Sequence, residues 1–220
     1  MNNNRYKYPR TPHLPWSPGY TSDDIRKSST DPFLGKEIVV TEKMDGENTT
    51  MYAKHIHARS LDSRHHPSRD WVKGLHAKVA NQIPENWRLC GENVFAKHAI
   101  FYKNLPSYFL LFSIWNDKNR CLSWDETIEW ASLFELVIPS VLYRGIWDQE
   151  RLQKLSIDTA TCEGYVVRSA DEFHYDDFSV NVAKWVRPKH VQTDKHWMHA
   201  DIEPNQLATH AKNGQGGENE

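Results

Sequence analysis

Two runs rich in β-branched and apolar residues, Ile38-Val39-Val40-Thr41 and Thr49-Thr50-Met51-Tyr52-Ala53, flank the tetrapeptide Lys43-Met44-Asp45-Gly46. A chain built this way forms strands on either side of a sharp reversal, and Asp45-Gly46 is expected to be the turn of a hairpin joining them. Further runs at Ser107–Trp115, Gly164–Arg168 and Phe178–Val186 read as strands. Helices are expected over Asp70–Ile83, with Trp71, Leu75 and Val79 on one stripe, and over Trp147–Leu155. A third opens at Ser123, where Glu126 completes a capping box, and carries Ile128, Ala131 and Phe134 on one face. The sum is an α+β fold, antiparallel sheets flanked by helices, with no internal repeat.

Residues 1–35 hold Pro9, Pro12, Pro15, Pro18 and Pro32 and are expected to be extended. Tyr6, Tyr8, Trp16 and Tyr20 should pack this segment along the body at 36–204, and a disordered tail is expected over 205–220. At 220 residues with 39% hydrophobic content and nine Trp, the chain can bury a sizeable core. A net charge of −2 argues against a generally basic binder of nucleic acid but leaves room for a local basic groove. No apolar run is long enough for a membrane span, and the N-terminus lacks a signal-peptide core. Cys90, Cys121 and Cys162, odd in number and scattered, suit reduced thiols in a cytoplasmic protein. None of the twelve His forms a metal-ligand spacing; His55, His57, His65 and His66 are expected to be exposed or to face RNA.

The charged residues beside these runs come in a fixed order: Lys43, then Gly91-Glu92, then Glu163-Gly164, then Lys184 and Arg187. Each has an ordinary structural reading. Lys43 could precede a surface turn, Glu92 and Glu163 could be strand-end charges, and Lys184 and Arg187 could decorate an edge strand. Together they suit covalent nucleotide transfer to a lysine. A free lysine amine has a pKa near ~10.4, so such a site is expected to depress that of Lys43. The carboxylates would hold Mg²⁺ or a ribose hydroxyl, and the cations would meet phosphate. Arg59 and Arg64 could add phosphate contacts.

With these residues in order, the chain resembles the covalent nucleotidyltransferase superfamily, and especially the small ATP-dependent RNA ligases, over roughly positions 40–190. The resemblance implies a nucleotidyltransferase (ATP-grasp-like ligase) adenylation domain. Lys43 would carry AMP, with Glu42, Asp45, Gly46, Asn48 and Arg59 near the nucleotide. Glu92 would touch ribose or metal, Phe112 would stack on adenine (it could equally be a core Phe), and Glu163 would be associated with metal. Lys184 would contact the α-phosphate. A second lysine common two places later is here Val186, so that role passes to Arg187.

Only 33 residues follow Arg187 (220 − 187), too few for an appended OB domain, which leans towards an RNA ligase. The cofactors implied are ATP and Mg²⁺, with Mn²⁺ as an alternative. The implied partner is RNA with 5′-phosphate and 3′-hydroxyl ends, in RNA repair, with room for a partner protein that recognises ends. Two other readings stand beside this one: a DNA nick-sealing ligase, and a non-catalytic RNA-end-binding protein on a ligase scaffold. The segment His190–Trp197 suits either packing on the body or contact with an RNA end.

Overall fold

The computed structural model describes residues 5–188 and 202–209. Two antiparallel sheets face each other. The first contains β1 (Glu37–Lys43), β7 (Val141–Ile146), β8 (Gly164–Ser169) and β10 (Val182–Val186) in the order β10-β8-β1-β7. The second contains β2 (Glu47–Tyr52), β3 (His55–Ala58), β4 (Arg88–Asn93), β5 (Phe109–Trp115), β6 (Arg120–Cys121) and β9 (Phe173–His174), in the order β3-β2-β4-β5-β6-β9.

Residue alternation gives each sheet one core face. In the first, Ile38 and Val40 of β1, Tyr165 and Val167 of β8 and Ala183 of β10 pack with Leu14, Phe33, Trp147 and Leu152. In the second, Met51, Leu89, Phe109, Leu111 and Ile114 form the larger core with helices α1 (Asp70–Val79) and α2 (Trp124–Leu133). Short helices α3 (Gln149–Gln153) and α4 (Phe178–Asn181) complete the regular elements. Among the described residues no helix is long and apolar enough to cross a membrane.

Several expectations hold in detail. Ser123 and Glu126 form the capping box: the Glu126 amide donates to Ser123 Oγ, and the Ser123 amide donates to Glu126 Oε2. Trp71 and Leu75 pack half-buried on the core beside buried Val72 and Val79.

Others need correction. Asp45-Gly46 is no hairpin turn, because β1 pairs with β7 and β8 while β2 pairs with β3 and β4, so Met44-Asp45-Gly46 is a crossing between sheets. The buried stripe of α2 runs through Trp124, Thr127 and Ala131, leaving Ile128 at its margin, 38% exposed. Phe178–Asn181 is helical, and the strand begins only at Val182. His57 is buried, with Nδ1 against the Ala58 carbonyl, and His55 is half-buried beside its ring, so His57 is not exposed as expected. The tail expected from 205 does not begin there: Asn205 is buried, its side-chain Nδ2 donating to the Val94 carbonyl and its Oδ1 accepting from the Tyr102 amide. His190–Trp197 lies outside the described residues.

Candidate active site

The faces of the two sheets that do not join these cores confront one another across a cleft of about 1020 Å³, open mouth included. Register decides what lines it. Residues directly opposite in an antiparallel pair share a face, and Lys184 lies opposite Val166 while Val182 lies opposite Arg168. Thr41 lies opposite Val166 and Lys43 opposite Gly164. Thr41, Lys43, Val166, Arg168, Val182 and Lys184 therefore form one wall. The other wall comes from Asn48, opposite Glu92, and from Phe112 and Ser113. At Cys90/Gly91 the β4–β5 register slips, because Cys90 faces Ser113 while Gly91 faces Leu111. Phe112 is the extra residue of this bulge, a device that re-aims a side chain. Glu42 and Arg59 also line the cleft.

Two glycines bring the reactive groups together. A Cβ on Gly46 would lie 2.5 Å from the Asn93 carbonyl oxygen, so only glycine lets the crossing lie flat on β4. Gly164, at φ 157°, abuts β10 so closely that a Cβ would lie 2.0 Å from the Trp185 carbonyl oxygen. Glu163, just before it, is thereby fixed at the junction, and its backbone carbonyl accepts the Arg187 amide at 3.0 Å.

At the floor, the cleft-lining Lys43 forms an ion pair through Nζ with Glu163 Oε2, and Glu163 is not itself among the lining residues. Glu163 is only 6% exposed. The expected depression of the Lys43 pKa is reversed. Burial alone would lower it, yet Glu163, Glu92 and Asp45 together hold it above the ordinary lysine value. Three carboxylates thus outweigh the effect of burial on Lys43, whereas the pKa of Lys184 is pushed down by burial and by Lys43. Burial, with Glu163 and Asp45 as like-charged neighbours, pushes the Glu92 carboxyl up to about 8, against the attraction of Lys43.

This last shift predicts a stability signature. Between its unfolded value of 4.5 and about 8, Glu92 keeps a proton in the fold that it loses in the unfolded chain. Stability therefore falls as pH rises through that window. Glu92→Gln is expected to melt with wild type at about pH 5 and above it at about pH 8.5, by about 3 °C or more. Thermal melts at the two pH values check this; parallel curves would contradict it.

Not every expected residue points into the cleft. Asp45 turns its carboxylate to the amides of Ala99 and Ile100, at 2.8 and 2.9 Å, and its own amide donates to Tyr102 Oη, so it ties down a neighbouring loop. Arg187 reaches the Thr159 carbonyl at 2.9 Å beyond the end of β10. Sequence reasoning missed Thr41, Val166, Arg168 and Val182, whose period of two becomes informative only once the register is known. It also missed the wall built by Tyr8, Pro9 and Thr11 of the N-terminal segment. Tyr8 sets its ring edge-on to Phe112, centroids 5.2 Å apart.

Among the described residues no cluster of three or more His, Cys, Asp or Glu could hold a metal by itself. Glu163 and Glu92 nonetheless fit a divalent cation that brings its own ligands. Mg²⁺ commonly binds through one or two carboxylates plus substrate phosphates, and Glu163 and Asp45 are close enough to Glu92 to add to the rise that burial causes in its pKa.

The RNA ligase family model matches residues 36–186, the stretch that holds both walls apart from the N-terminal contribution. Solved structures of a Naegleria gruberi RNA ligase share the fold. The one with PPi is 18% identical with a TM-score of 0.51, over 71% of this chain and 51% of that one. Two mutants of that ligase with AMP and Mn have TM-scores of 0.50 at 17% and 16% identity. They cover 71% and 83% of this chain and 51% and 62% of theirs. The chain thus spans about half the length of the first of the ligase structures it matches. No curated protein sequence matches it significantly.

Proposed function

Since the chain belongs to the RNA ligase family, we propose that it uses ATP to join RNA ends bearing a 5′-phosphate and a 3′-hydroxyl. The observation that carries this reading is the pairing of Lys43 with Glu163 at the floor of a cleft whose walls hold Glu92, Lys184 and Phe112. In the first step Lys43 Nζ bonds to the α-phosphorus of ATP. The bond from that phosphorus to the bridging oxygen breaks, and pyrophosphate leaves with its electron pair. Lys43 must first lose a proton, and the group already in contact with its ammonium is Glu163. In the second step an oxygen of the RNA 5′-phosphate displaces the lysine, giving a 5′-5′ pyrophosphate. In the third, the 3′-hydroxyl attacks the activated 5′-phosphate, and AMP departs.

Catalysis here is mostly positioning and charge. Lys184 supplies the cation for the α-phosphate. Phe112 stacks on the base, with Tyr8 braced edge-on behind it, and Asn48 and Arg59 line the nucleotide's surroundings. Glu92, carrying its proton, can donate to or accept from a ribose hydroxyl. A divalent cation, Mg²⁺ or Mn²⁺, would be held by Glu163, and by Glu92 when it has given up that proton, and would neutralise phosphate charge. The biological setting we propose is RNA repair in the cytoplasm, because the reaction restores an ordinary phosphodiester.

Phe112→Ala is expected to raise the ATP concentration for half-maximal AMP attachment about tenfold, since base–aromatic stacking contributes ~1–3 kcal/mol, while the rate at saturation changes little. A lowered melting temperature with unchanged half-saturation would instead make Phe112 a packing residue.

The reading as a whole is tested by sealing. With ATP and Mg²⁺, an RNA with a 5′-phosphate and a 3′-hydroxyl is expected to be joined, and joined in competition with nicked duplex DNA. Preference for the DNA nick would make it a DNA ligase. Binding of RNA without any AMP attachment would make it an RNA-end-binding scaffold.

A further inference from the structure

The strand β10 is the outer strand of its sheet, with β8 on one side. Its other side is closed by the N-terminal segment. The Lys184 amide donates to the Pro12 carbonyl at 2.9 Å, and the Leu14 amide donates to the Lys184 carbonyl at 2.8 Å. Further along, Ser17 Oγ and the Gly19 amide satisfy both backbone groups of Val186, each at 2.9 Å. Leu14 is fully buried among Phe33, Val40 and Ala183, so this docking is part of the core.

The same segment then returns beside itself. The His13 amide donates to the Ile25 carbonyl and the Lys27 amide to the His13 carbonyl. That return delivers Asp24 to Lys184, Oδ1 lying 3.5 Å from Nζ. The carboxylate is itself fixed, since Oδ2 accepts from the amide and hydroxyl of Thr21 at 3.2 and 2.8 Å. Its Oδ1 lies 3.4 Å from Nε2 of fully buried His13. Lys184 is thus gripped through backbone and side chain by one segment.

We propose that Asp24 is a positioning residue for nucleotide transfer, anchoring the Lys184 ammonium on the wall of the cleft so that it meets the α-phosphate without searching. The proposal rests on Lys184 being the phosphate-facing cation of the ligase reading. A long, flexible ammonium loses rotamer entropy when it is fixed in one place. Holding it in advance removes that cost from the reacting complex. Lys184 is repelled by Lys43 and attracted by both Glu163 and Asp24, and of these two carboxylates it is Asp24 that lies within ion-pair distance of its ammonium. The segment 5–27 therefore belongs to the catalytic apparatus in this account, supplying Tyr8 behind the stacking ring and Asp24 behind the cation.

The test is single-turnover AMP attachment, with ATP and Mg²⁺, by full-length wild type, Asp24→Asn, Asp24→Glu and Lys184→Ala, each with a thermal melt. Asp24→Asn is expected to lower the rate at saturating ATP about tenfold, within the range of coupling between contacting groups. The ATP half-saturation should stay within about twofold and the melt close to wild type, because Asp24 is partly exposed. Asp24→Glu, which keeps the anion, should recover most of the rate. Full speed in Asp24→Asn alongside a slow Lys184→Ala would overturn the proposal. So would equal losses in the Asn and Glu variants with lowered melting, which mark a purely structural contact. Full speed in Lys184→Ala would remove Lys184, and Asp24 with it. No labelling of wild type, even after pyrophosphate discharge, would instead bring down the underlying ligase reading.

Discussion

Lys43→Ala is expected to abolish AMP attachment, by at least about four orders of magnitude, because it deletes the only group that forms the covalent bond. Intact mass after incubation with ATP and Mg²⁺ reads this directly, and a mutant that labels normally would remove Lys43 from the reaction. The substitution also has a stability consequence. It strips the cation from Glu163, a carboxylate 6% exposed, with Glu92 nearby. Breaking a buried ion pair by removing one partner typically costs about 3–5 kcal/mol. The mutant should therefore melt below wild type. Lys43→Arg separates the two effects: it keeps a cation for Glu163 and lacks a usable nucleophile, so it should stay stable and remain unlabelled.

Gly164→Ala is expected to be nearly as damaging, for a steric reason. Its methyl would lie 2.0 Å from the Trp185 carbonyl oxygen and 3.0 Å from Val186 Cα. Both neighbours are backbone, so no side-chain rotation relieves the clash; β8 and β10 must part at the Gly164–Val186 pair. That separation loosens the Arg187 amide's bond to Glu163 and shifts Lys184, two residues back along β10. A loss of about 3 kcal/mol or more is expected, together with loss of AMP attachment. Gly74→Ala is the internal control. Gly74 lies in α1 with nothing within 4 Å of an added Cβ, so that change should stabilise the protein by about 0.5–1 kcal/mol. Denaturant melts of the two variants check both signs, and a Gly164→Ala protein as stable as wild type would refute the packing argument.

The order Lys43, Glu92, Glu163, Lys184 was legible from residue type and spacing, and Lys43, Glu163 and Lys184 lie in or beside runs whose β-propensity reveals strands, whereas β4, which holds Glu92, was not among the strands read. The capping box at Ser123 was legible because both partners lie within four residues. Long-range pairing was not. Nothing local tells Asp45-Gly46 to cross between sheets instead of turning a hairpin, since that choice depends on β1 finding β8 and β7, far along the chain. Phe178–Asn181 coils into a helical turn although Val180 favours strands, because Phe178 is drawn into the cluster around Trp115 and Phe173. The direction of the Lys43 pKa was misjudged because a nucleophile's needs say nothing of how many carboxylates the fold gathers beside it. The proline-rich segment reads as an extended stretch packed on the body, but its contribution to the cleft emerges only from hydrogen bonds that tie Pro12, Leu14 and Gly19 to β10. Asn205 looked like the start of a tail because its bonds, to Val94 and Tyr102, are likewise distant in sequence.

The most direct measurement is intact mass of the wild-type protein after incubation with Mg²⁺ and each nucleoside triphosphate separately, before and after discharge with pyrophosphate. The account predicts a gain of one AMP with ATP, on Lys43, reversed by pyrophosphate. A protein that gains nothing with any nucleotide, and loses nothing to pyrophosphate, would contradict it.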